Sequence, residues 1–240
     1  MNSMKYSKYE QVFDPELLAY FSSFLTENRK MKFKEVLSNR TRYITVMLED
    51  ISHSQNASAI LRTCDLTGIM DVHIVENRFR YEVNPDVTVG STQWLKMTKF
   101  NKGRNNSADA ISHLKSKGYR IVATSPHREN FSPETLPLDK PIAIIFGTEK
   151  EGLSEEAVNQ ADAFIRIPMV GFTESYNVSV SAAIVLYTLT NRLRSLAVDW
   201  QLKDDEKNQI LLNWSRTSVK RPDLLEAEFD RLRSDGKLEL

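Results

Sequence analysis

The sequence predicts an α/β fold with a mainly parallel β-sheet and helices on both faces. Short apolar, often β-branched runs alternate with longer segments of helical periodicity, and this alternation is typical of βαβ units. The run 142–146 is continuously apolar, as expected of a central strand that is buried on both faces. The other predicted strands are 43–48, 72–75, 119–125 and 164–167, with a further strand within 94–104.

The composition is that of a soluble globular protein of 240 residues. With 32 basic and 32 acidic residues the net charge is zero, so a surface that binds nucleic acid must be a local patch. Cys64 is the only cysteine, so no intrachain disulfide can form, which suits a reducing compartment. Residues 1–8 lack the apolar core of a signal peptide, and no apolar run reaches the ~20 residues that span a bilayer. We therefore expect a cytoplasmic protein that has no membrane partner.

Three regions are predicted along the chain. Residues 1–42 form a basic helical N-terminal extension, residues 43–196 form the α/β domain, and residues 197–240 form a helical C-terminal extension. The first helix should begin at Asp14, because an aspartate before Pro15 combines an N-cap with a first-turn proline.

Basic residues are concentrated in both extensions. The segment 28–42 has six basic residues and one acidic residue, and 213–221 is a second basic cluster. One interpretation is contact with nucleic-acid phosphates, and the alternative is a solvated helix face. A third basic stretch, 94–104, has four basic residues and no acid, and its pattern indicates a strand with a basic exit loop. The predicted phosphate contacts are Arg29, Lys30, Lys32, Lys34, Arg40, Arg216, Lys220 and Arg221.

Polar loops follow several of the predicted strands. In parallel α/β sheets, ligands bind outside the carboxyl ends of the strands, so these loops are candidate binding elements. The loop 171–177 lies between Pro168 and an apolar helix, and Ser175 or Asn177 can cap that helix. The loop 147–152 begins and ends with glycine, which lets a ligand approach the backbone. The alternative is that each is an ordinary strand–turn–helix connection.

The loop after the first strand leads into a helix that carries Asn56 and Arg62. Arg62 lies off the apolar face of this helix, so its side chain is predicted to be available for function. The alternative is a surface cation that pairs with Asp65.

Three stretches of the chain, taken in order, resemble the motifs of the SpoU-type RNA ribose 2′-O-methyltransferases of the SPOUT superfamily. Residues 56–65 (NASAILRTCD) are similar to the first motif and residues 145–153 (IFGTEKEGL) to the second. Residues 167–180 (IPMVGFTESYNVSV) are similar to the third. The order and spacing match over residues 43–194.

The resemblance implies an α/β fold with a deep trefoil knot in its C-terminal half, a homodimer, and S-adenosylmethionine bound in the knot. No metal is implied. Tyr176 stands where the family usually has leucine, and it still offers apolar surface to the cofactor. The residues implied to bind the cofactor are Thr124, Gly147, Ile167, Met169 and Tyr176.

The same resemblance gives Arg62 the role of activating the 2′-hydroxyl of the target ribose. A guanidinium is effectively always charged, so Arg62 could instead clamp the adjacent phosphate and stabilise a developing alkoxide. Four further residues would orient Arg62, the ribose and the loop backbone; loop capping is the alternative role for each of them, and the last two could serve both roles. They are Asn56, Glu149, Ser175 and Asn177.

The flanking extensions resemble those of family members that modify tRNA. This implies methylation of guanosine 18 in the D-loop of tRNA. The alternatives are a 2′-O-methyltransferase for rRNA or another tRNA position, and a non-catalytic RNA-binding protein on the same scaffold.

Overall fold

A computed structural model describes residues 13–82, 84–128 and 130–238. The chain divides into two compact units, which we call the sheet unit (Thr41–Trp200) and the helical unit (Met1–Arg40 with Gln201–Leu240). The predicted division at 42/43 and 196/197 stays a prediction. The predicted lack of a signal peptide concerns residues 1–8, which lie outside the described residues. In the described part of the chain, no helix is both long and apolar enough to cross a bilayer.

The sheet unit is built on a six-stranded sheet with the order β3-β2-β1-β5-β4-β6. Every neighbouring pair of these strands is parallel, which confirms the predicted parallel sheet. Because all strands point the same way, their carboxyl ends meet at one edge. The strands are β1 (Ile44–Glu49), β2 (Asp71–Val75), β3 (Lys96–Phe100), β4 (Arg120–Thr124), β5 (Ile142–Phe146) and β6 (Ala163–Ile165).

Helices connect the strands and also form the second unit. In the helical unit they are α1 (Pro15–Ser23), α2 (Glu27–Ser38), α8 (Asp204–Ser218) and α9 (Pro222–Ser234). In the sheet unit they are α3 (Ser54–Thr67), α4 (Pro85–Thr88), α5 (Asn106–Ser116), α6 (Glu155–Gln160) and α7 (Val178–Arg194).

The sheet is buried on both faces, as predicted. On one face, the apolar sides of α3 and α7 pack on a core that includes Ile144. On the other face, α5 and α6 cover a core that includes Ile145. Successive residues of a strand point to opposite faces, so a central strand covered by helices on both sides must be apolar throughout.

Several element boundaries differ from the predicted ones. The sequence also predicts a helix that is capped by Ser107, but α5 begins two residues earlier than this cap would give, because the side chain of Asn105 accepts a hydrogen bond from the Ala108 N–H at 3.1 Å. The Ser107 hydroxyl is used elsewhere, as described below. Pro222, which follows the basic cluster 213–221, occupies the first turn of α9, a position that suits proline. The predicted cap at Asp14 is confirmed.

The helical unit buries two of the arginines that were predicted to contact RNA. Arg40 is 1% exposed and its guanidinium lies 5.5 Å from the centre of the Trp214 ring. Arg216 is 4% exposed, lies 5.6 Å from the centre of the Phe21 ring and pairs with Glu226. A guanidinium is planar and weakly hydrated, so it stacks on buried aromatic rings. The prediction of a surface role for these two arginines is therefore wrong for this conformation.

Candidate active site

The three motif segments meet at one side chain, Asn177. Its amide Nδ2 donates hydrogen bonds to Asn56 Oδ1 at 3.2 Å and to Glu149 Oε1. Asn56 lies in the first turns of α3, which follows β1, and Glu149 follows β5. These strands are neighbours, so residues that are distant in sequence come together at the carboxyl edge. We call these three residues the Asn177 cluster.

Asn177 also caps helix α7. Its Oδ1 accepts hydrogen bonds from the Ser179 N–H at 2.9 Å and from the Ser179 hydroxyl at 2.6 Å. The cap occupies the oxygen side of the amide, so the nitrogen side faces the two oxygen acceptors of the cluster. The capping role and the predicted orienting role therefore belong to the same side chain.

The loop of the second motif is braced at both ends. Gly147 has no room for a side chain, because a Cβ there would lie 2.4 Å from the Gly152 carbonyl oxygen. The Thr148 N–H donates to that oxygen at 2.9 Å, which closes the loop on itself. At the far end, Glu49 accepts hydrogen bonds from the Ser154 N–H at 2.8 Å and the Ser154 hydroxyl at 2.7 Å.

Glu49 was not identified from the sequence. It is the last residue of β1, 2% exposed, and it also accepts a hydrogen bond from the Ser107 hydroxyl. A buried carboxylate is stable only when it is well hydrogen-bonded, and here three donors satisfy it. The sequence signal that could have identified Glu49 is an acidic residue directly after the predicted strand 43–48.

A cavity of about 360 Å³ lies beside the Asn177 cluster. Glu149 and Ser175 belong to its lining, and so does every residue that was predicted to bind the cofactor. The Thr124 hydroxyl donates to the Ile145 carbonyl at 2.9 Å, which holds the end of β4 against β5. The five predicted cofactor-binding residues in the lining are Thr124, Gly147, Ile167, Met169 and Tyr176.

This cavity fits S-adenosylmethionine in size and chemistry. Its volume is within the roughly 300–1,000 Å³ of small-molecule sites. Phe146, Ile167 and Val178 offer apolar surface for an adenine ring, and the close packing of Gly147 on Gly152 fixes the loop that borders it. The carboxylates of Glu149 and Glu174 also line the cavity, and their charge complements a cationic cofactor.

The side chains of Arg62 and Ser175 are exposed and are not held by hydrogen bonds to the Asn177 cluster. Arg62 is exposed on α3, and within the described residues it has no carboxylate partner, so the alternative of a pair with Asp65 is not seen. It lies six residues beyond Asn56, about 9 Å along the helix axis, and is not part of the cavity lining. Ser175 is exposed at the cavity. The structure thus brings together three of the five predicted catalytic residues directly.

The remaining predicted RNA contacts are mostly on the surface of the helical unit. Lys30 is half-buried and pairs with Glu27 at 2.8 Å, and Lys32 pairs with Glu35 at 3.1 Å. These pairs lie within α2 and reduce its local positive charge. The other exposed cations of this set are Arg29, Lys34, Lys220 and Arg221.

Comparison with known proteins identifies the family of this chain. The model of the SpoU rRNA methylase family matches residues 43–187, which include all three motifs. The tRNA (guanosine(18)-2′-O)-methyltransferase of Borreliella burgdorferi is 44% identical over 209 residues, which are 87% of this chain and 94% of that protein.

The chain is also similar in structure to solved SpoU enzymes. The crystal structure of the A. aeolicus TrmH/SpoU tRNA-modifying enzyme has a TM-score of 0.71 and 30% identity, and covers 81% of this chain and 98% of that one. The SpoU methyltransferase AviRb from Streptomyces viridochromogenes, in complex with AdoMet, shares the fold, with a TM-score of 0.57 and 19% identity over 68% of this chain and 65% of that one. On the family match and the identity to the Borreliella protein, this chain belongs to the SpoU methylase family.

Proposed function

We propose that this protein transfers a methyl group from S-adenosylmethionine to the ribose 2′-hydroxyl of guanosine 18 in tRNA. The observation that carries the proposal is the Asn177 cluster, which joins all three motifs beside a cavity that fits the cofactor. The relative named for this reaction supports the choice of tRNA, because the similarity extends over 94% of its length and into the extensions.

The cofactor, when bound, supplies an electrophilic methyl group on a sulfonium. The chain would hold it through Thr124, Gly147, Ile167, Met169 and Tyr176. Transfer requires the ribose oxygen to be held in line with the methyl group, so most of the catalytic gain comes from orientation. The Asn177 cluster serves this purpose by tying the loops of the second and third motifs to α3.

Arg62 would act on the other side of the reaction, at the RNA. A guanidinium stays protonated, so it suits a phosphate clamp and a stabiliser of the developing alkoxide better than a proton acceptor. Its exposure, without a carboxylate partner in the described residues, supports this role because the fork is available for bidentate contact. Ser175, exposed at the cavity, would orient the ribose.

The protein is proposed to be a homodimer. Large apolar side chains are exposed on α3 and α7, with Leu66 76%, Val180 45% and Tyr187 65% exposed. Apolar surface of this kind often marks an interface. Sedimentation velocity should give a dimer at micromolar concentration, and Leu66→Lys with Tyr187→Lys should weaken it. A stable wild-type monomer would contradict this part of the proposal.

The proposal includes the trefoil knot of the C-terminal half and a cytoplasmic location. The knot is what the resemblance of the three motifs to SpoU-type enzymes implies, and the free, buried Cys64 suits a reducing compartment. A crystal structure with a continuous main-chain trace from β4 to α7 would test the knot. Fractionation of cells with an antibody to the protein would test the location.

The decisive experiment uses labelled S-adenosylmethionine with total tRNA and with rRNA, followed by nucleoside mapping by mass spectrometry. We expect one 2′-O-methylguanosine per tRNA at position 18, and no transfer to a tRNA in which guanosine 18 is replaced by adenosine. The family description refers to rRNA, so methylation confined to rRNA would establish the alternative substrate. Cofactor binding without transfer to either RNA would indicate the non-catalytic alternative.

A further inference from the structure

The loops that follow β2 (residues 76–82) and β3 (residues 101–105) lie at the same sheet edge as the Asn177 cluster. β2 pairs with β1, and β3 pairs with β2. Neighbouring strands are about 4.8 Å apart, so these loops start about 5 and 10 Å from the end of β1. They are therefore neighbours of the loop that delivers Asn56.

Asp50 holds the loop after β2. One carboxylate oxygen accepts hydrogen bonds from the N–H groups of Asn77, Arg78 and Phe79, at 2.8, 2.9 and 3.3 Å. Asp50 is 5% exposed and has a φ of 51°, a conformation that is uncommon for any residue with a side chain. Its carboxylate thus fixes the backbone of the loop at three successive residues.

Asn106 joins this loop to the one after β3. Its side chain donates to the Glu76 carbonyl at 3.0 Å and accepts from the Gly103 N–H at 2.8 Å. Its own N–H donates to Asn77 Oδ1 at 3.0 Å. Because Asn106 is itself 5% exposed, the two loops are held from beneath as one platform.

The side chains that project from this platform are basic and aromatic. Arg80, Lys102 and Arg104 are exposed, and within the described residues none of them has a carboxylate partner. Phe79 is 43% exposed, and the Arg78 guanidinium lies 5.6 Å from the centre of its ring. Arg78 is anchored by Glu151, which belongs to the loop of the second motif.

The acidic residues of these loops only partly offset this charge. Glu76 pairs with Lys99 at 2.9 Å, and Glu82 is exposed. The two loops carry four cations and two acids, an excess of two, whereas the chain as a whole is neutral, so the positive charge is a feature of this edge and not of the protein at large. The combination of arginines with an exposed aromatic ring matches single-stranded RNA, which presents both phosphates and unstacked bases.

We propose that Arg80, Lys102 and Arg104 bind phosphates of the tRNA beside the target ribose, and that Phe79 stacks on an unstacked base of the same loop. We call these four residues the basic platform. This inference rests on the proposed function. Because hydrogen bonds already order both loops, little conformational entropy is lost when RNA binds.

A charge-matched pair of variants tests the phosphate contacts. The test variant is Arg80→Ala with Lys102→Ala, and the control is Lys117→Ala with Lys140→Ala. Lys117 and Lys140 are exposed and precede β4 and β5, so they lie at the opposite edge of the sheet. The dissociation constant for tRNA is measured over a range of salt concentrations, and S-adenosylmethionine affinity and the melting temperature are measured beside it.

We expect the salt slope of the test variant to fall by about 0.7 to 0.9 for each removed cation, and its tRNA affinity to fall on the order of 10-fold at low salt. The control should keep the wild-type slope, and neither variant should lose cofactor affinity. Equal slopes in the wild type and the test variant would overturn the phosphate contacts. An equal loss in the control would overturn the local platform in favour of a general charge effect.

Phe79 is tested separately. Phe79→Ala should weaken tRNA binding on the order of 10-fold without changing the salt slope, and Phe79→Tyr should retain affinity because its ring still stacks. Unchanged affinity of Phe79→Ala would overturn the stacking contact. If the wild type methylates guanosine 18 while all platform variants bind normally, only the platform is wrong. If the wild type neither binds nor methylates tRNA, the proposed function and this inference are both wrong.

Discussion

The two units of the protein use their arginines in opposite ways. In the sheet unit, Arg62 on α3 and Arg80 in the loop after β2 are both exposed. In the helical unit, Arg40 and Arg216 are among the most buried side chains, although their segment has the stronger basic excess in sequence. A high local density of basic residues therefore does not by itself identify a surface that binds RNA.

The physical reason is the dual nature of the guanidinium. It can bind phosphate bidentately, and it can also stack on an aromatic ring and pair with a carboxylate in the interior. Trp214 and Phe21 supply such rings inside the helical unit. By contrast, Arg80 is exposed in the loop after β2, next to Arg78, which pairs with Glu151 of the second motif. The following predictions test this contrast, beginning with the largest expected effect.

Arg62→Ala should lower the single-turnover rate of methyl transfer on the order of 10²-fold or more, because a charged contact to the reacting region is lost. The melting temperature should be unchanged, since Arg62 is exposed. Arg62→Lys should restore only part of the rate, because an ammonium cannot replace the planar fork. Arg231→Ala, an exposed change in the helical unit, is the control. A wild-type rate for Arg62→Ala would show that Arg62 on α3 is not part of the active site.

Asn177→Asp separates the capping role of Asn177 from its bridging role. The aspartate can still cap α7, but it cannot donate to Asn56 and it repels Glu149. We expect methyl transfer to fall on the order of 10- to 100-fold through misplacement of the loops, with little change in stability. Asn177→Ala should lose both functions and cost a further ~1 kcal/mol of stability. Full activity of Asn177→Asp would show that the bridge is dispensable.

Arg216→Ala should destabilise the helical unit without changing the affinity for S-adenosylmethionine. Removing one partner of a buried pair costs about 3–5 kcal/mol, and we expect about 2–3 kcal/mol here because Glu226 is partly exposed. Thermal and urea unfolding measure the effect. Arg231→Ala is again the control and should stay within about 0.5 kcal/mol of the wild type. A stable Arg216→Ala protein with weakened tRNA binding would restore the surface role that the burial argues against.

The smallest effect is expected from the lysines of α2. The triple change of Lys30, Lys32 and Lys34 to alanine should reduce the salt slope of tRNA binding by less than about 0.7 to 0.9 per lysine, because Glu27 and Glu35 already neutralise two of them. Binding of S-adenosylmethionine should not change.

The reciprocal variant sharpens this test. Glu27→Gln with Glu35→Gln should strengthen tRNA binding, because it releases the two lysines from their partners within the helix. If neither variant alters tRNA affinity, the face of α2 is a solvated surface that does not contact tRNA. The basic platform would then be the remaining proposed contact region.

The sequence by itself determined the elements of the fold and the positions of the motif residues. The run Ile142–Phe146 had to be a central strand because it is apolar throughout. Asp14 was predicted to cap the first helix because an aspartate before a proline is typical of a helix start, and its side chain does so. Such conclusions rest on residues close together in the chain, so local physics was sufficient for them.

Only the tertiary structure decided which distant residues meet and which are buried. Asn56 reaches Asn177 because α3 and α7 pack together on one face of the sheet, and no local pattern specifies that packing. Glu49 and Asp50 became organising carboxylates because donors from other loops converge on them. Arg40 and Arg216 lie inside because aromatic rings from other helices cover them. In each case the partner is distant in the chain, and the free energy of a charged side chain depends on that partner more than on its own sequence neighbours.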